Sequence, residues 1–349
     1  MTGGPRVSIV VNNYNYGRFL AEAIDSALAQ TYPGVEVVVV DDGSTDDSRE
    51  VIARYADRVL PVLKENGGQA SAFNAGFARS SGDIVFFLDA DDVLLPEAVA
   101  EVVAAWHPGA AKAQFRLRVL GADGQPRDET VPAAALPLPS GDVREGILRR
   151  GEYVFPPTSG NAFRRDALEQ VIPMPEAEWR ISADLPLLLV VPLFGDVVSI
   201  DRVLGFYRVH GGNAFSYDRP DVARLAQRVE MGFRKQRVVM EHGGKLGLRA
   251  SPTLAVSNPY FLVGCMTLKL MSPAHPSLER LPFRSLAWEG LRALWSYPTM
   301  TLRQRLLLSP VLALSPFVPR PLARTCALWW TYPAVRPRVL NRVANSLTS

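Results

Sequence analysis

The first 110 residues alternate between short apolar runs and helix-like segments, and this alternation constrains the fold more than any other feature. The strand-like runs are "VSIVV" (7–11), "VEVVVV" (35–40), "RVLPVLKE" (58–65) and "DIVFFL" (83–88), and helix-like segments lie between them at 17–30, 44–56 and 69–82. A continuous β-branched run such as 35–40 is typical of a strand that is covered on both faces. The pattern therefore predicts an α/β fold in which helices flank a parallel, doubly wound sheet.

Each predicted strand is followed by a polar loop. The four loops are "NNYNYG" (12–17), "DDGSTDD" (41–47), "NGGQ" (66–69) and "DADD" (89–92), and two of them are acidic. In open α/β sheets, ligands bind beyond the carboxyl ends of the strands. These loops are therefore the expected ligand-binding edge.

The loop "DADD" places Asp89, Asp91 and Asp92 directly after an apolar strand. One aspartate could cap the helix that Pro96 opens, but three neighbouring carboxylates repel one another and raise each other's pKa. A divalent cation removes this repulsion, and Mg²⁺ or Mn²⁺ is held by carboxylate and phosphate oxygens. The loop therefore predicts a site for a metal ion and a phosphate group.

The loop "DDGSTDD" divides into two parts. Ser44 is the predicted N-cap of the second helix, so Asp46 and Asp47 lie in its first turn, where the helix dipole favours negative charge. Asp41 and Asp42 end the second strand, where one of them can accept hydrogen bonds from a nucleobase or a ribose. The alternative for both is a turn carboxylate that binds nearby backbone amides.

Two common nucleotide-binding motifs are missing from the sequence. No G-x-G-x-x-G follows the first strand and G-x-x-x-x-G-K-[ST] occurs nowhere, so neither a dinucleotide fingerprint nor a P-loop is present. This disfavours oxidoreductases and P-loop NTPases. It leaves a nucleotide that is bound through side chains and a metal ion.

The middle of the chain has a different pattern. Residues 111–165 predict a hairpin with Asp123-Gly124 at its turn, and then a proline-rich loop. The segment 180–195 is predicted to be an apolar helix with Asp184 in its first turn. The segment 197–213 is predicted to be a strand that leads into glycines.

The acidic loops belong to a longer pattern. It consists of "VSIVVNNYNYGRFLAEAIDSALAQTYPGVEVVVVDDGSTDDS", then "ENGGQASAFNAGFARSSGDIVFFLDADDVLLPEAV", and more weakly "TSGNAFRRDAL", "RISADLPLL" and "YRVHGGN". Together these motifs closely resemble family-2 glycosyltransferases with the GT-A fold. The resemblance implies a Rossmann-like, mixed but mostly parallel sheet flanked by helices, in a catalytic domain of residues 1–215. It also implies inverting transfer of a sugar from a nucleoside-diphosphate sugar to an acceptor hydroxyl.

The resemblance assigns roles to individual residues. Asp184 matches the catalytic base. The residues implied at the nucleotide sugar are Asn12, Tyr14, Asn15, Asp41, Asp42, Gln69, Asp89 and Ala90, and those implied at a Mg²⁺ or Mn²⁺ ion are Asp91, Asp89, Asp92 and His210. Asp89-Ala90-Asp91 matches a D-x-D motif whose last aspartate reaches the metal. The Q-x-x-R-W motif of processive members is absent, so we expect one sugar to be added per encounter.

Alternatives remain for several residues and for the function. Asp184 also fits a helix start, and His210 also fits a hydrogen-bonded loop histidine. Asn74 is expected to bind the backbone of a neighbouring loop, and Gln69 is expected near the donor. A sugar-phosphate nucleotidyltransferase also uses acidic metal sites, but its glycine-rich loop is missing. A non-catalytic nucleotide-sugar-binding protein would lack the base or the metal carboxylates.

The end of the chain differs in charge. Residues 276–349 contain ten Arg, no Lys and two Glu, a net +8, so the first 275 residues carry −5 of the total of +3. The region 216–349 is predicted to be a helical, Arg-, Trp- and Pro-rich appendage. Its apolar runs are shorter than the roughly 20 residues that a membrane span requires. It is expected either to lie on an anionic membrane, or to pack on the catalytic domain or form a homodimer.

The N-terminus shows no signal-like apolar stretch. We therefore expect a cytoplasmic protein that is peripheral on the inner face of the cytoplasmic membrane. The expected donor is linked to UDP, GDP or dTDP, the expected acceptor is a glycan or a lipid-linked molecule, and no nucleic-acid partner is expected.

Overall fold

The structure is a computed structural model of the 349-residue chain, and it describes residues 4–210, 220–251, 257–297, 300–332, 335 and 337. The chain divides into two compact units. The first comprises residues 1–145 and 152–213, and the second comprises residues 146–151 and 214–349. The two glycines that follow His210, at 211 and 212, lie outside the described residues.

The first unit is built on one mixed sheet. Its strands are β1 (Val7–Asn13), β2 (Val35–Asp42), β3 (Leu60–Lys64), β4 (Ile84–Asp89), β5 (Val93–Leu94), β6 (Ala110–Leu120), β7 (Pro126–Val131), β8 (Asn161–Arg164) and β9 (Asp196–Arg208). The strand order is β3-β2-β1-β4-β8-β6-β9-β5, and β7 pairs with β6. Among these strands, only β5, β7 and β8 run antiparallel to their neighbours. The predicted mixed, mostly parallel α/β sheet is therefore confirmed.

Helices cover both faces of the central strands. The helices within the first unit are α1 (Gly17–Leu28), α2 (Ser48–Ala53), α3 (Gln69–Arg79), α4 (Ala98–Ala105), α6 (Arg165–Leu168) and α7 (Asp184–Val190), and α5 (Arg144–Arg150) crosses the division between the units. On one face of β1, Ile9 shares a buried cluster with Leu20 and Ile24 of α1. On the other face, α3 packs so closely that a Cβ on Gly76 would lie 2.3 Å from Val10 Cγ1. Burial on both faces explains the continuous apolar runs.

The strands β1 and β2 are longer than their apolar runs. Each extends two residues further, so Asn12-Asn13 and Asp41-Asp42 belong to the sheet. The predicted start of the second helix at Ser44 is wrong, because α2 begins at Ser48. Ser44 Oγ instead accepts hydrogen bonds from Asn13 Nδ2 at 3.1 Å and Asn15 N at 2.9 Å, which makes it part of the contact between two loops.

The predicted hairpin is confirmed. Strands β6 and β7 pair antiparallel, and Gly124 adopts a φ of +74° in the connection. This left-handed conformation favours glycine, which has no Cβ to clash with the backbone.

The second unit is helical in its described residues. Its helices are α8 (Val222–Lys245), α9 (Pro259–Met271), α10 (Phe283–Ser296), α11 (Leu302–Leu314) and α12 (Arg320–Thr331). They bury a cluster of their own, in which Leu262, Leu286 and Leu312 join α9, α10 and α11. Across the described part of the chain, no helix is both long enough and apolar enough to cross a membrane.

Candidate active site

The carboxyl ends of β1, β2 and β4 bring the predicted polar residues together. Strand β1 lies between the other two, and its register pairs Asn12 with Asp89 and Asn13 with Asp41. Asn12 Nδ2 donates to Asp89 Oδ1 at 2.7 Å, and Asn13 Nδ2 donates to Asp41 Oδ1 at 3.0 Å. Successive side chains of a strand point to opposite faces, so these neighbouring asparagines reach two different loops.

The "DADD" segment forms a turn that presents Asp91. Ala90 is buried and its N–H donates to Asn12 O at 3.2 Å, while Asp92 N donates to Asp89 O at 3.0 Å. The Asp91 side chain remains partly exposed, and its Oδ2 lies 3.0 Å from His210 Nε2. The structure thus brings together Asp91 and His210, two of the residues that the resemblance implied at a metal.

Burial and neighbouring charge raise the pKa of two carboxylates in this turn, Asp89 and Asp92. Burial, together with the charges of Asp91 and Asp184, raises the pKa of Asp89 to about 8, although hydrogen bonds from Thr158 and Asn12 act in the opposite direction. Burial also raises the pKa of Asp92 well above its usual value. The crowding that the sequence indicated is present, and a bound cation would relieve it.

Asp92 points away from the exposed side of the turn. It is only 1% exposed, Oδ2 accepts from Ser159 Oγ at 2.6 Å, and Oδ1 accepts from Arg208 N at 2.9 Å. Ser159 Oγ in turn accepts from Asp89 N at 3.1 Å. These contacts anchor the turn to β9 and to the residues before β8, and they weigh against the expected role of Asp92 as a metal ligand.

Asp92→Ala is expected to lower the free energy of unfolding by about 2–4 kcal/mol, because Ser159 Oγ–H and Arg208 N–H lose their acceptor. For a unit of this size the melting temperature should fall by about 5–10 °C in differential scanning calorimetry. Asp57→Ala, at an exposed position, is the matched control and should change it little. An unchanged melting temperature, with loss of metal-dependent activity alone, would restore Asp92 as a ligand.

Asp184 lies close to Asp89. It begins α7, and the hydroxyl of Thr158 lies close enough to both carboxylates to donate its one proton to either. Burial raises the pKa of Asp184 to about 6, although hydrogen bonds from its own amide, Leu185 N and Thr158 act in the opposite direction. A half-buried carboxylate with this pKa is ionised at neutral pH and can still accept a proton.

The N-terminus of α3 supports the segment that carries Asp184. Gln69 N donates to Arg180 O at 3.0 Å, and Gln69 Oε1 accepts from Ala183 N at 2.9 Å. Gly68 has a φ of +91°, and a Cβ there would lie 2.4 Å from Arg180 Cγ. Gln69 therefore contacts the residue next to Asp184, and its predicted contact with the donor stays a prediction.

Asp41 and Asp42 hold neighbouring loops together. Asp42 is 2% exposed and accepts from Gly67 N at 3.0 Å, Gly68 N at 2.7 Å and Lys64 Nζ at 2.7 Å.

Asp41 is fully buried, and besides Asn13 it accepts from Arg49 Nε at 3.0 Å and Ser44 N at 3.2 Å. The alternative from the sequence, a carboxylate bound to nearby amides, describes both residues, and a nucleobase contact by Asp42 stays a prediction.

The loop after β1 exposes Tyr14 at the same edge. Its side chain is 46% exposed and accessible to a ligand. Asn15 instead links two loops, since its Oδ1 accepts from Thr45 N at 2.7 Å. Asn74 binds Met174 through both its amide nitrogen and its amide oxygen, at 2.9 and 2.8 Å, as predicted for a residue that binds a neighbouring loop.

Sequence reasoning missed the residues that position this turn. They are Thr158, Ser159 and Arg208, whose Nε donates to Asp91 O at 2.9 Å. Thr158 and Ser159 stand in the "TSGN" motif, but nothing local in the sequence shows what they contact. For Arg208 a signal existed, since it stands in the motif "YRVHGGN" that also carries His210.

The described residues contain no group of three or more His, Cys, Asp or Glu side chains arranged to hold a metal ion by themselves. Asp91 and His210 offer an oxygen and a nitrogen ligand next to a second carboxylate, Asp89. Mg²⁺-type sites often use only one or two protein ligands and complete the shell with water and phosphate oxygens. The donor set fits a metal that is bound together with a diphosphate.

Acidic residues at the carboxyl edge of the sheet, with the half-buried carboxylate of Asp184 beside them, make this edge the candidate active site. The profile of "Glycosyl transferase family 2" matches residues 8–172. Residues 8–172 therefore match this family, and the chain has the GT-A fold that the sequence motifs implied.

Relatives with similar sequences agree with this match. An uncharacterized glycosyltransferase of Nostoc sp. is 40% identical over 216 residues, which are 60% of this chain and 66% of that protein. One from Rickettsia prowazekii is 43% identical over 95 residues, 27% of this chain and 30% of that protein. The chain thus covers less than two thirds of either relative.

The fold is also found in S. aureus TarS, residues 1–349. Its crystal structure in complex with UDP has a TM-score of 0.56 at 16% identity and covers 93% of this chain and 91% of that one. The complex with UDP-GlcNAc has a TM-score of 0.53 over the same coverage. At this level of identity the likeness establishes the fold alone.

Proposed function

We propose that this protein is a metal-dependent, inverting glycosyltransferase that moves one sugar from a nucleoside-diphosphate sugar to an acceptor hydroxyl. The observation that carries the proposal is the pairing of two acidic sites at one sheet edge. Asp91 and His210 form the first, Asp184 forms the second, and Asp89 stands between them. Such a reaction needs one group of ligands for the diphosphate and its metal, and a separate base for the acceptor.

Asp184 is the proposed base. When the acceptor hydroxyl attacks the anomeric carbon it loses a proton, and a carboxylate within hydrogen-bond reach can accept it. Gln69 and Thr158 hold the start of α7, so the base has a fixed direction. A single displacement from the face opposite the leaving group inverts the anomeric carbon.

Asp91 and His210 are the proposed ligands of a Mg²⁺ or Mn²⁺ ion, and Asp89 is the proposed third contact of the donor. Such an ion, bound with the diphosphate, stabilises the negative charge of the leaving group. Arg208 holds the Asp91 carbonyl and Asn12 holds Asp89, so the carboxylates are positioned before the donor arrives. Tyr14 is exposed next to them and is a proposed donor contact.

The donor is proposed to carry UDP, because the structurally similar TarS binds UDP and UDP-GlcNAc. GDP- and dTDP-linked sugars are the alternatives. The acceptor is proposed to be a glycan or a lipid-linked molecule of a bacterial envelope pathway. Peripheral contact of residues 276–349 with the inner face of the cytoplasmic membrane is part of the proposal, and a homodimer is the alternative role of that region.

The direct test is turnover with a panel of UDP-, GDP- and dTDP-linked sugars in Mn²⁺. Release of nucleoside diphosphate from one donor class, lost on chelation, supports the proposal. NMR of the product should show the anomeric configuration opposite to that of the donor. Retention of configuration, or no release from any donor, contradicts it.

The rate of transfer is expected to depend on pH through Asp184. Its pKa is raised to about 6, so the base is ionised above this pH and protonated below it. The rate should therefore be constant above pH ~7 and fall about tenfold per unit below pH ~6. A pH–rate profile at saturating donor measures this dependence. Asp128→Asn, at an exposed position, is the control and should show the same profile as the original chain. A flat profile down to pH ~5 would exclude Asp184 as the base.

A further inference from the structure

Helices α10 and α11 expose large apolar side chains. On α10, Trp288 and Trp295 are 61% and 45% exposed, and a separation of seven residues places them on one face of the helix. The exposed large apolar residues of α11 are Leu302, Leu306, Leu307 and Leu314, and Phe317 is exposed just after the helix ends. The opposite sides of both helices, including Leu286 and Leu312, are buried in the cluster of the second unit.

Contacts between the two helices join their exposed apolar side chains into one surface, here named the α10–α11 face. Near the end of α10, Trp295 Nε1 donates to Ser309 Oγ at 2.9 Å. Near its start, the Arg284 guanidinium lies 5.9 Å from the centroid of the Phe317 ring. Because the contacts lie at both ends of α10, exposed side chains of the two helices lie side by side.

Arginines lie among these apolar side chains. Arg284 and Arg292 follow the same helical spacing as Trp288 and Trp295, and both are exposed. Arg303 is exposed next to Leu302. Between residues 276 and 332 the sequence has seven Arg, no Lys and two Glu, so the region is strongly positive.

Exposed tryptophans together with arginines favour one binding partner for the α10–α11 face, an anionic lipid surface. Tryptophan rings concentrate at the boundary between lipid and water, and arginines near an anionic membrane surface are attracted to its headgroups. A second copy of this chain is the competing occupant. A two-fold interface would set the same arginine-rich surface against itself, and the like charges would repel. Charge complementarity therefore favours anionic lipid.

We propose that the α10–α11 face binds the surface of a bilayer rich in anionic phospholipid, with Trp288, Trp295 and Phe317 inserted at the interface and the arginines at the headgroups. The inference deepens the proposed function and rests on it for its purpose, since a membrane-bound transferase meets lipid-linked acceptors at that surface. Interfacial helices bind in this way without spanning the bilayer.

The test is flotation of the full chain with vesicles of phosphatidylglycerol and phosphatidylcholine in equal parts, compared with phosphatidylcholine alone. We expect binding to the anionic vesicles at low salt and release at high salt. The variant Trp288→Ser/Phe317→Ser should lower the partition coefficient at least about tenfold. Arg284→Gln/Arg292→Gln should lower it about 25-fold, or roughly fivefold per arginine.

Matched controls are Met240→Ser, at an exposed position of α8, and Arg54→Gln in the first unit. Both should bind like the original chain. Circular dichroism and the melting temperature must be unchanged in every variant that is scored. Blue-shifted tryptophan fluorescence in the presence of anionic vesicles, lost in the Trp288→Ser/Phe317→Ser variant, is the expected second readout.

Several results would overturn the inference. They are no binding to anionic vesicles, equal binding to both vesicle types, or binding that survives both double substitutions. A dimer in light scattering that Trp288→Ser/Phe317→Ser dissociates would assign the face to self-association instead. Donor hydrolysis without vesicles separates the two proposals: if it is absent while vesicle binding is present, the transferase proposal fails and the membrane surface stands.

Discussion

Asp184→Asn is expected to lower kcat for sugar transfer by about 10³-fold, while KM for the donor changes by less than about threefold. The asparagine keeps the shape of the side chain and can still accept a hydrogen bond from Thr158. It cannot take the proton of the acceptor hydroxyl, so only the chemical step is impaired. Initial rates of nucleoside-diphosphate release at saturating acceptor measure the effect.

The control for this substitution is Asp128→Asn, an exposed carboxylate on β7 that should leave both constants unchanged. Donor binding by the Asp184→Asn protein, measured by calorimetry, should match that of the original chain. Retention of more than about a tenth of kcat would show that another group takes the proton. A large rise in KM with kcat preserved would make Asp184 a binding residue.

Asp91→Asn is expected to lower kcat/KM by about 10³-fold, equivalent to about 4 kcal/mol of lost transition-state stabilisation. The neutral side chain holds a divalent cation poorly, so the Mn²⁺ concentration needed for half-maximal activity should rise at least about tenfold. Initial rates across a Mn²⁺ titration measure both effects. The charge of Asp91 also acts on Asp89, so its removal relieves repulsion in the metal-free protein.

The metal-free Asp91→Asn protein should therefore melt at the same temperature as the original chain or slightly higher. This separates Asp91 from Asp92, whose substitution is expected to destabilise the fold. Asp57→Asn, at an exposed position, is the matched control for both measurements. If Asp91→Asn keeps its activity and its Mn²⁺ dependence, the metal site lies elsewhere.

The sheet was largely predictable because its strands carry a strong local signal. Buried parallel strands require continuous apolar runs, and 35–40 and 83–88 show them clearly. The ends of the elements were less predictable. Strands β1 and β2 extend into polar sequence, where Asn13 and Asp41 are joined by a hydrogen bond. Ser44 contacts the first loop, and α2 begins after it. These are contacts across about 30 residues, which no local pattern reports.

Some residues of the candidate site were also predictable from local sequence, and others were not. The acidic turn was evident from charge crowding alone, whereas Asp184 was tied to it only through the family resemblance. The sequence could not show that Asp92 faces Ser159 and Arg208, because those residues are 67 and 116 positions away. It also could not show that Asp42 is enclosed by the amides of Gly67 and Gly68.

The most direct measurement of the central claim is calorimetric titration of the full chain with UDP, GDP and dTDP, with and without Mn²⁺. The two acidic sites predict that one nucleotide binds with a micromolar Kd in Mn²⁺ and at least about tenfold more weakly after chelation or in Asp91→Asn. Asp184→Asn should bind that nucleotide as tightly as the original chain. Absence of binding by all three, or binding that neither chelation nor Asp91→Asn weakens, would contradict a metal-dependent nucleotide-sugar site at this edge of the sheet.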